Sequence, residues 1–516
     1  MRVRIMAIAA LSASFQCFAG YPAAAGATND QNAQEVTWPA KSWPVSTPEE
    51  QGMDSASLAK LIETVGTYKQ DSLTIIRHGK IVADAYYAPY VADVSHDLRS
   101  VTKSVVGTLT AIQLRNGSLD SVDLPVIDLF SEKQVQNVDE RKKAITIQSL
   151  LDMTSGIEWV EKAYTPDETI LRMYQSPDRT AFVLNQPMVG APGASFNYNS
   201  GNPYLLSALI NKKSGQNALD FAKKELFDPL GIKSAKWGRA DEQGVIDGEA
   251  GLFLSPHDMA RIGYLYLQNG MWEGKQIVPP SWVERSKAGP VTATSGFQYG
   301  NLWWSYPEKG AYMARGRHSQ LILVIPKLDV VAVMTGVLRD TEFYSASGLI
   351  DDISKAVKSD KPLPEDAIAK ALLTSAIRQA SAEKPSAIGG TPELAKSVSG
   401  KIYRFFDNKL RLKTFTLNFL DSDSSWIITT YTAKADGRFT GLVGLDGLYR
   451  KSPPALYGIN AAKGRWVNEH TFSMERRILG HGETQTWSLF FNGDKVKVNF
   501  EDTDGSKAEL HGEAGE

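Results

Sequence analysis

Two residues near position 100 have the types and the spacing that nucleophilic catalysis needs. Ser100 and Lys103 stand three residues apart in the stretch LRSVTKSVVG at positions 98–107. On a helix this spacing places the hydroxyl and the amine one turn apart on the same face. A lysine that the fold removes from water can be neutral enough to take the serine proton, and the N–H groups that open the helix favour developing negative charge. The pair is a candidate nucleophile and base.

The same spacing occurs twice more, in Ser57 with Lys60 and in Ser381 with Lys384, so spacing alone does not identify a site. The helix of Ser57 is amphipathic and is expected to be exposed, and Ser381 borders a linker. Only Ser100 opens an apolar helix, where its lysine would be drawn into the interior. The alternative is that Ser100 and its lysine are ordinary helix residues.

A tyrosine and a strand edge extend this constellation. Tyr198 ends the Gly- and Pro-rich loop at positions 190–202, just before a helix, where a nearby lysine could lower its pKa and let it pass a proton to a leaving group. The stretch ARGRHSQ at positions 314–320 could expose a backbone N–H that forms an oxyanion hole with the N–H of Ser100. The alternatives are a packed tyrosine ring and a plain edge strand.

Other chemistries lack their motifs. The sequence contains no Gly-x-Ser-x-Gly elbow, no P-loop and no His-Glu-x-x-His, and its seven histidines form no Cys/His cluster. We therefore expect neither a metal nor an organic cofactor. The formal charge of −2 shows no basic excess, so nucleic acid is an unexpected partner.

The N-terminus has the pattern of a secretory signal. Arg2 and Arg4 precede a mostly apolar run, small residues follow near Ala19, and the single cysteine, Cys17, lies inside this segment. We assign residues 1–25 to a signal peptide and residues 26–45 to an extended leader. The mature protein is expected to be periplasmic or secreted, without a disulfide and without a transmembrane segment.

The remaining chain divides into two regions. Residues 46–382 read as strands, a helical block, then strands and a final helix, which predicts an α+β domain rather than alternating βαβ units. Two hairpins are expected, around His78-Gly79 and between the apolar runs of positions 319–336. Residues 383–400 form a candidate linker, and residues 401–516 alternate polar with apolar residues, as in an antiparallel β-domain.

Several motifs in one order carry a resemblance to a known family. They are Ser100-Val101-Thr102-Lys103, LLDMTSGI, Tyr198-Asn199-Ser200, GLFLSPHDMARIGYLYLQNG, YGNLWW and ARGRHSQLILVIPKLDVVAVMTG. Over residues 45–365 the chain resembles the penicillin-recognising serine hydrolases, which include class C β-lactamases, D-alanyl-D-alanine carboxypeptidases, related esterases and 6-aminohexanoate-dimer hydrolase. The resemblance implies a β-lactamase/transpeptidase-like fold, in which an antiparallel sheet is flanked by helices and the site lies in a groove against a helical subdomain.

The resemblance also implies residue roles. Ser100 would be the acylated nucleophile, Lys103 its activating partner and Tyr198 the general acid/base, while the backbone N–H groups of Ser100 and Arg317 would form the oxyanion hole. Weaker expectations for substrate contacts fall on Tyr164, Ser200, Arg315 and His318. Trp303 and Trp304 should put one ring on each face of their strand, because neighbouring side chains of a strand face opposite ways, so at most one can line the groove and the other joins the core.

Two departures from the family pattern bear on the substrate. Ser200 stands where β-lactamases and peptidases carry Asn, and Ala314-Arg315-Gly316 replaces the Lys-Thr-Gly strand motif. Both departures favour the 6-aminohexanoate-dimer hydrolase and esterase branch. The expected function is that of an exported serine hydrolase, which cleaves an ester or a linear amide through an acyl-enzyme on Ser100. Its expected partner is a small-molecule ester, amide or short peptide substrate. The alternatives are a D-amino-acid peptidase or β-lactamase-like enzyme, and a non-catalytic penicillin-binding-type sensor or cell-wall-binding module.

Overall fold

The structure of the protein is a computed structural model. It describes residues 36–39, 41–92, 94–161, 168–238, 240–294, 296–337, 344–420, 423–430, 437–453 and 458–515. The predicted signal peptide and Tyr164 lie outside the described residues.

Fifteen α-helices occur in the described part of the chain, fourteen of them before residue 390. They are α1 Ser55–Gly66, α2 Val101–Arg115, α3 Val126–Leu129, α4 Glu140–Lys143, α5 Ile147–Leu151, α6 Thr169–Gln175, α7 Arg179–Leu184, α8 Gly201–Ser214, α9 Ala218–Ala222, α10 Asp228–Leu230, α11 Pro256–Leu267, α12 Pro280–Ala288, α13 Ala346–Ala356, α14 Ala367–Ala380 and α15 Glu393–Val398. None of them combines the length and the apolar character needed to cross a membrane.

The first region is built on an eight-stranded antiparallel sheet. The strands before residue 340 are β1 Gln70–Arg77, β2 Lys80–Tyr86, β3 His96–Asp97, β4 Lys236–Trp237, β5 Leu252–Leu254, β6 Met271–Trp272, β7 Lys275–Gln276, β8 Val291–Thr294, β9 Phe297–Gly300, β10 Trp303–Tyr306, β11 Ala311–Gly316, β12 Gln320–Ile325 and β13 Val330–Gly336. The sheet order is β2-β1-β13-β12-β11-β10-β9-β8. Both predicted hairpins, β1–β2 and β12–β13, are present.

Helices cover both faces of this sheet, and strand β12 shows why. Its residues alternate between two cores: Leu321 and Leu323 pack with α1 and α13, while Ile322 and Val324 pack with α2 and α11. A strand that is apolar on both faces needs a helical layer on each side. The predicted α+β fold with a helix-flanked antiparallel sheet is confirmed.

The C-terminal region forms a second sheet with its own core. Its strands are β14 Tyr403–Phe405, β15 Leu412–Leu420, β16 Asp423–Thr430, β17 Gly437–Gly444, β18 Arg450–Lys451, β19 Ile459–Trp466, β20 Thr471–Leu479, β21 Glu483–Asn492, β22 Lys495–Asp502 and β23 Lys507–Ala514. The order is β17-β16-β15-β14-β23-β22-β21-β20-β19-β18, and β17 also pairs with β19. Inward-facing residues such as Phe472, Leu489 and Val498 fill the interior.

The segments that flank the first region are more ordered than the sequence indicates. The candidate linker contains α15, because Ala395 and Val398 are buried and Val398 belongs to the C-terminal core. The end of the predicted leader packs against α11, where the Trp43 indole donates to His257 O at 3.1 Å. Apolar residues in short polar stretches thus anchor both segments.

Candidate active site

A strained turn places Ser100 at the start of α2. Arg99 adopts a left-handed backbone (φ 49°), and its N–H donates to the Asp97 carboxylate at 2.9 Å. Ser100 precedes the first helical residue with near-helical dihedrals, yet its hydroxyl does not cap the helix. Residues in sparsely populated conformations tend to occur at functional sites. Here the turn leaves the serine hydroxyl available for other partners.

Lys103 is buried beside this hydroxyl. Its side chain is only 1% exposed, and its Nζ donates to Ser100 Oγ at 3.0 Å and to the backbone oxygen of Glu249 at 2.9 Å. The helix around it is buried on almost every face, as the apolar pattern of the sequence predicts. The expectation that this lysine is drawn into the interior is confirmed.

The other two Ser-x-x-Lys spacings are arranged differently. The Ser57 hydroxyl donates to the Asp54 carboxylate at the start of α1, and the Ser381 hydroxyl donates to Arg378 O at 3.0 Å. Lys60 and Lys384 are exposed. Among the three spacings, the described side chains form a serine–lysine hydrogen bond only at Ser100.

Tyr198 lies against the same lysine. Lys103 Nζ stands 5.1 Å from the centre of the Tyr198 ring, and Trp304 stacks on that ring with centroids 6.1 Å apart. Burial raises the pKa of Tyr198, although the charge of Lys103 acts to lower it. The expectation of a lowered pKa is therefore wrong, because the loss of water outweighs the lysine. The tyrosine is an uncharged phenol that can donate a proton.

The end of strand β11 closes on the start of α2. A Cβ added to Gly316 would lie 2.3 Å from Leu98 O and 3.1 Å from the Ser100 nitrogen, so only glycine allows this approach. Arg317 follows directly, in the turn that leads to β12. The two backbone segments expected to supply an oxyanion hole are thus brought together.

Ser200 contacts the Glu161 carboxylate. It is buried, and its hydroxyl and N–H donate to the two oxygens of the Glu161 carboxylate at 2.8 and 3.1 Å. The Trp159 indole also donates to Glu161, at 2.8 Å. This geometry corrects the expectation that Ser200 contacts substrate, because a buried hydroxyl bonded to a carboxylate is already satisfied.

A second carboxyl group, Glu249, lies beside Lys103. It is 4% exposed, its side chain accepts a hydrogen bond from the Tyr174 hydroxyl, and its backbone oxygen holds Lys103. Burial raises the pKa of Glu249 to about 7, against the opposing charge of Lys103. Sequence reasoning missed both Glu161 and Glu249, since each reaches the site through a loop without a motif.

Arg315 and Trp303 differ in burial and in the rings they contact. Arg315 stacks over Phe297 and Trp304, with its guanidinium carbon 5.2 and 5.6 Å from the two ring centres. Trp303 is fully buried against Tyr266, so the prediction that the two tryptophans face opposite ways is confirmed.

His318 does not face the groove. It is 2% exposed, and both of its ring nitrogens contact the C-terminal domain. This placement corrects its assignment as a substrate-binding residue, because its two polar atoms are already occupied.

Comparison with known proteins shows the family to which this chain belongs. The sequence profile of the Beta-lactamase family matches residues 58–343, more than half of the chain. The chain therefore belongs to the Beta-lactamase family, which confirms the resemblance seen in the motifs.

The chain is similar to individual proteins in sequence and in structure. The chain is 25% identical over 317 residues to the 6-aminohexanoate-dimer hydrolase of Paenarthrobacter ureafaciens, covering 56% of this chain and 78% of that protein. A Bacillus anthracis structure described as a candidate 6-aminohexanoate-dimer hydrolase superposes with a TM-score of 0.51 at 21% identity, covering 62% of this chain and 88% of that one. A candidate beta-lactamase of Bacteroides dorei gives a TM-score of 0.50 at 18% identity, covering 60% and 100%.

Proposed function

We propose that this protein is a serine hydrolase that cleaves an ester or a linear amide through an acyl-enzyme on Ser100. The observation that carries the proposal is the 3.0 Å contact between Ser100 Oγ and the buried Nζ of Lys103, with Tyr198 beside it. A hydroxyl becomes a strong nucleophile when an adjacent base takes its proton.

Acylation follows from these positions. Ser100 Oγ attacks the substrate carbonyl carbon while its proton passes to Lys103 Nζ. The carbonyl oxygen becomes an oxyanion, which the backbone N–H groups of Ser100 and Arg317 stabilise. The bond to the leaving group then breaks. Tyr198 donates its phenolic proton to the leaving alcohol or amine, and the proton held by Lys103 restores the phenol.

Deacylation uses the same groups in the reverse sense. A water molecule attacks the acyl carbon and gives its proton to the Lys103–Tyr198 pair. The ester bond to Ser100 breaks, the acid leaves, and the serine regains its proton. Neither a metal nor an organic cofactor takes part in these steps.

The residues around the site favour an ester or linear amide over a β-lactam. Where the family strand motif supplies a lysine, this chain has Ala314, which is buried and carries no charge. Arg315, the next residue, stacks on two aromatic rings. The Paenarthrobacter relative is named a 6-aminohexanoate-dimer hydrolase, and this name agrees with the preference. A D-amino-acid peptidase activity ranks second and an efficient β-lactamase third.

The same proposal includes export. The Arg2/Arg4 start and the apolar run that follows are typical of a signal peptide, so we assign the mature enzyme to the periplasm or the medium, acting on a small-molecule ester, amide or short peptide.

The test is a set of initial rates on p-nitrophenyl butyrate and on a chromogenic cephalosporin. We expect ester turnover in the wild type and its loss in Ser100→Ala. The matched control is Ser57→Ala, which removes a serine of the same spacing whose hydroxyl contacts Asp54, and which should keep wild-type rates. Stoichiometric labelling of Ser100 without turnover would instead support a penicillin-binding-type sensor.

A further inference from the structure

The C-terminal domain reaches the candidate active site through two of its turns. The turn between β20 and β21, residues 480–482, and Asp504 in the turn between β22 and β23 both contact the first region beside Ser100. The sequence of this domain does not define its role, whereas these contacts connect it to the candidate active site.

The first contacts act on the segment that leads into Ser100. Gly480 O accepts the N–H of Asp97 at 2.6 Å, and His481 O accepts from the Arg99 guanidinium at 3.0 Å. The turn fits closely, because a Cβ on Gly480 would lie 2.2 Å from Ser95 O. These contacts hold the chain just before the strained Arg99 turn.

The second contacts act on the segment that carries Arg317. His318 Nδ1 lies 2.8 Å from Gly482 O, and its Nε2 lies 2.8 Å from the Asp504 carboxylate. Both partners are oxygen acceptors, so the ring satisfies both contacts when each nitrogen carries a proton. Asp504 also lies 3.4 Å from the Arg317 guanidinium. Burial acts to raise the pKa of Asp504, but His318, Arg317 and Arg99 outweigh it and hold that pKa at about 2.

The held segment is strained and needs support. His318 and Ser319 adopt left-handed backbones, with φ values of 64° and 71°. Such conformations cost roughly 1–3 kcal/mol each in residues other than glycine and persist where the surroundings enforce them. Both ring contacts of His318 come from the C-terminal domain, while its backbone oxygen accepts from the Gln320 amide at 3.1 Å.

A buried ion cluster anchors strand β20, which leads into the 480–482 turn. Arg477 of β20 pairs with Asp71 of β1, and the other Asp71 oxygen lies 3.0 Å from His96 Nε2. Burial acts to raise the pKa of Asp71, but Arg477 and His96 outweigh it and keep the carboxylate charged. The turn at 480–482 therefore extends from a strand fixed to the central sheet.

We propose that the C-terminal domain is part of the catalytic apparatus: its 480–482 turn and Asp504 fix the spacing between the backbone N–H groups of Ser100 and Arg317, with His318 as the positioning residue. The turn bridges the two segments that carry the oxyanion donors. The proposal rests on the proposed acyl-enzyme function, and it assigns to the domain the geometry of the oxyanion hole.

The test compares Asp504→Asn with Asp446→Asn in the full chain. Asp504→Asn keeps the side-chain shape and removes the charge that holds His318. Asp446 pairs with Arg450, a residue of the same domain, and so provides a matched control. Four quantities are measured: kcat and KM on p-nitrophenyl butyrate, affinity for an alkyl boronic acid that forms a tetrahedral adduct on Ser100, and hydrogen exchange over residues 314–322.

Removing an oxyanion donor costs about 10²–10³ in kcat, so a displaced donor should cost less. We expect Asp504→Asn to lower kcat by roughly 10–100-fold with little change in KM, to weaken boronate binding in parallel, and to speed exchange in the β11–β12 turn. Asp446→Asn should do none of these.

Equal kcat, boronate affinity and exchange in the two variants would overturn the proposal. Should the wild type prove inactive, the proposed function would fall while the exchange comparison still decides whether Asp504 holds the turn. A loss of thermal stability in Asp504→Asn with kcat and KM unchanged would assign Asp504 a purely structural role. That result would also contradict the proposal.

Discussion

Lys103 is held by two hydrogen bonds, one to the Ser100 hydroxyl and one to the backbone oxygen of Glu249. The lysine Nζ donates to Ser100 Oγ at 3.0 Å and to Glu249 O at 2.9 Å, within a helix that is buried along most of its length. A base fixed by two hydrogen bonds does not need to find its position during the reaction, and effective catalysis depends on such fixed geometry.

Tyr198→Phe should separate two substrate types. The mutation keeps the ring stacked on Trp304 but removes the proton that protonates the leaving group. Because p-nitrophenolate leaves without protonation and an amine does not, we expect a loss of about 10²–10⁴-fold on a linear amide and a clearly smaller loss on the p-nitrophenyl ester. Initial rates on both substrates provide the measurement. Equal losses would remove Tyr198 from the proton-transfer role.

Gly316→Ala should displace the strand that leads to Arg317, the residue proposed to supply the second oxyanion N–H. The added methyl would lie 2.3 Å from Leu98 O, so the strand end and the start of α2 must move apart. We expect kcat to fall by about 100-fold or more, as when an oxyanion donor is lost. Gly238→Ala is the matched control, since open space surrounds a Cβ at that position. Wild-type kcat in the Gly316 variant would refute the close approach.

Glu249→Gln should change how stability depends on pH. The pKa of Glu249 rises from 4.5 to about 7 on folding. The contribution of this group to the free energy of unfolding is therefore fully present below pH 4.5 and is lost as the pH rises through 7. This loss amounts to about 3 kcal/mol and then stays constant. Glutamine cannot ionise and still accepts from Tyr174, so the variant should lack this loss. Urea unfolding of both proteins between pH 4 and pH 9 measures the difference, and parallel curves would contradict it.

The same substitution should move the pH profile of activity. Above pH 7 the Glu249 carboxylate stabilises the charged form of Lys103 and so opposes its action as a base. We expect kcat/KM of Glu249→Gln to reach half its maximum at a lower pH than in the wild type. An unmoved profile would show that the carboxyl group does not influence the lysine.

The local elements of this fold could be predicted because their signals are local. The α2 helix follows from apolar spacing, and the two hairpins follow from alternating apolar runs around turn residues. Ser100 could be chosen over Ser57 because burial of its lysine follows from the apolar helix around it. The direction of the Tyr198 pKa could not be predicted, since burial of the ring depends on how Trp304 and the tyrosine loop pack.

Contacts between distant segments could not be predicted either, because they too depend on how the folded chain packs. Glu249 reaches Lys103 and Glu161 reaches Ser200 from loops whose sequences contain no motif, and only the folded chain shows these contacts. His318 has the sequence of an edge-strand residue, yet its partners, Gly482 and Asp504, lie more than 160 residues later. Pairing at such separation is set by how whole domains dock, which no window of sequence reports.

The most direct measurement is the intact mass of the protein after rapid quenching during turnover of p-nitrophenyl butyrate, with peptide mapping of any adduct. The account predicts one butyryl group on the peptide that contains Ser100, its disappearance as substrate is exhausted, and its absence in Ser100→Ala. Ester turnover in Ser100→Ala at the wild-type rate, or an adduct on a different residue, would contradict the assignment of Ser100 as the nucleophile.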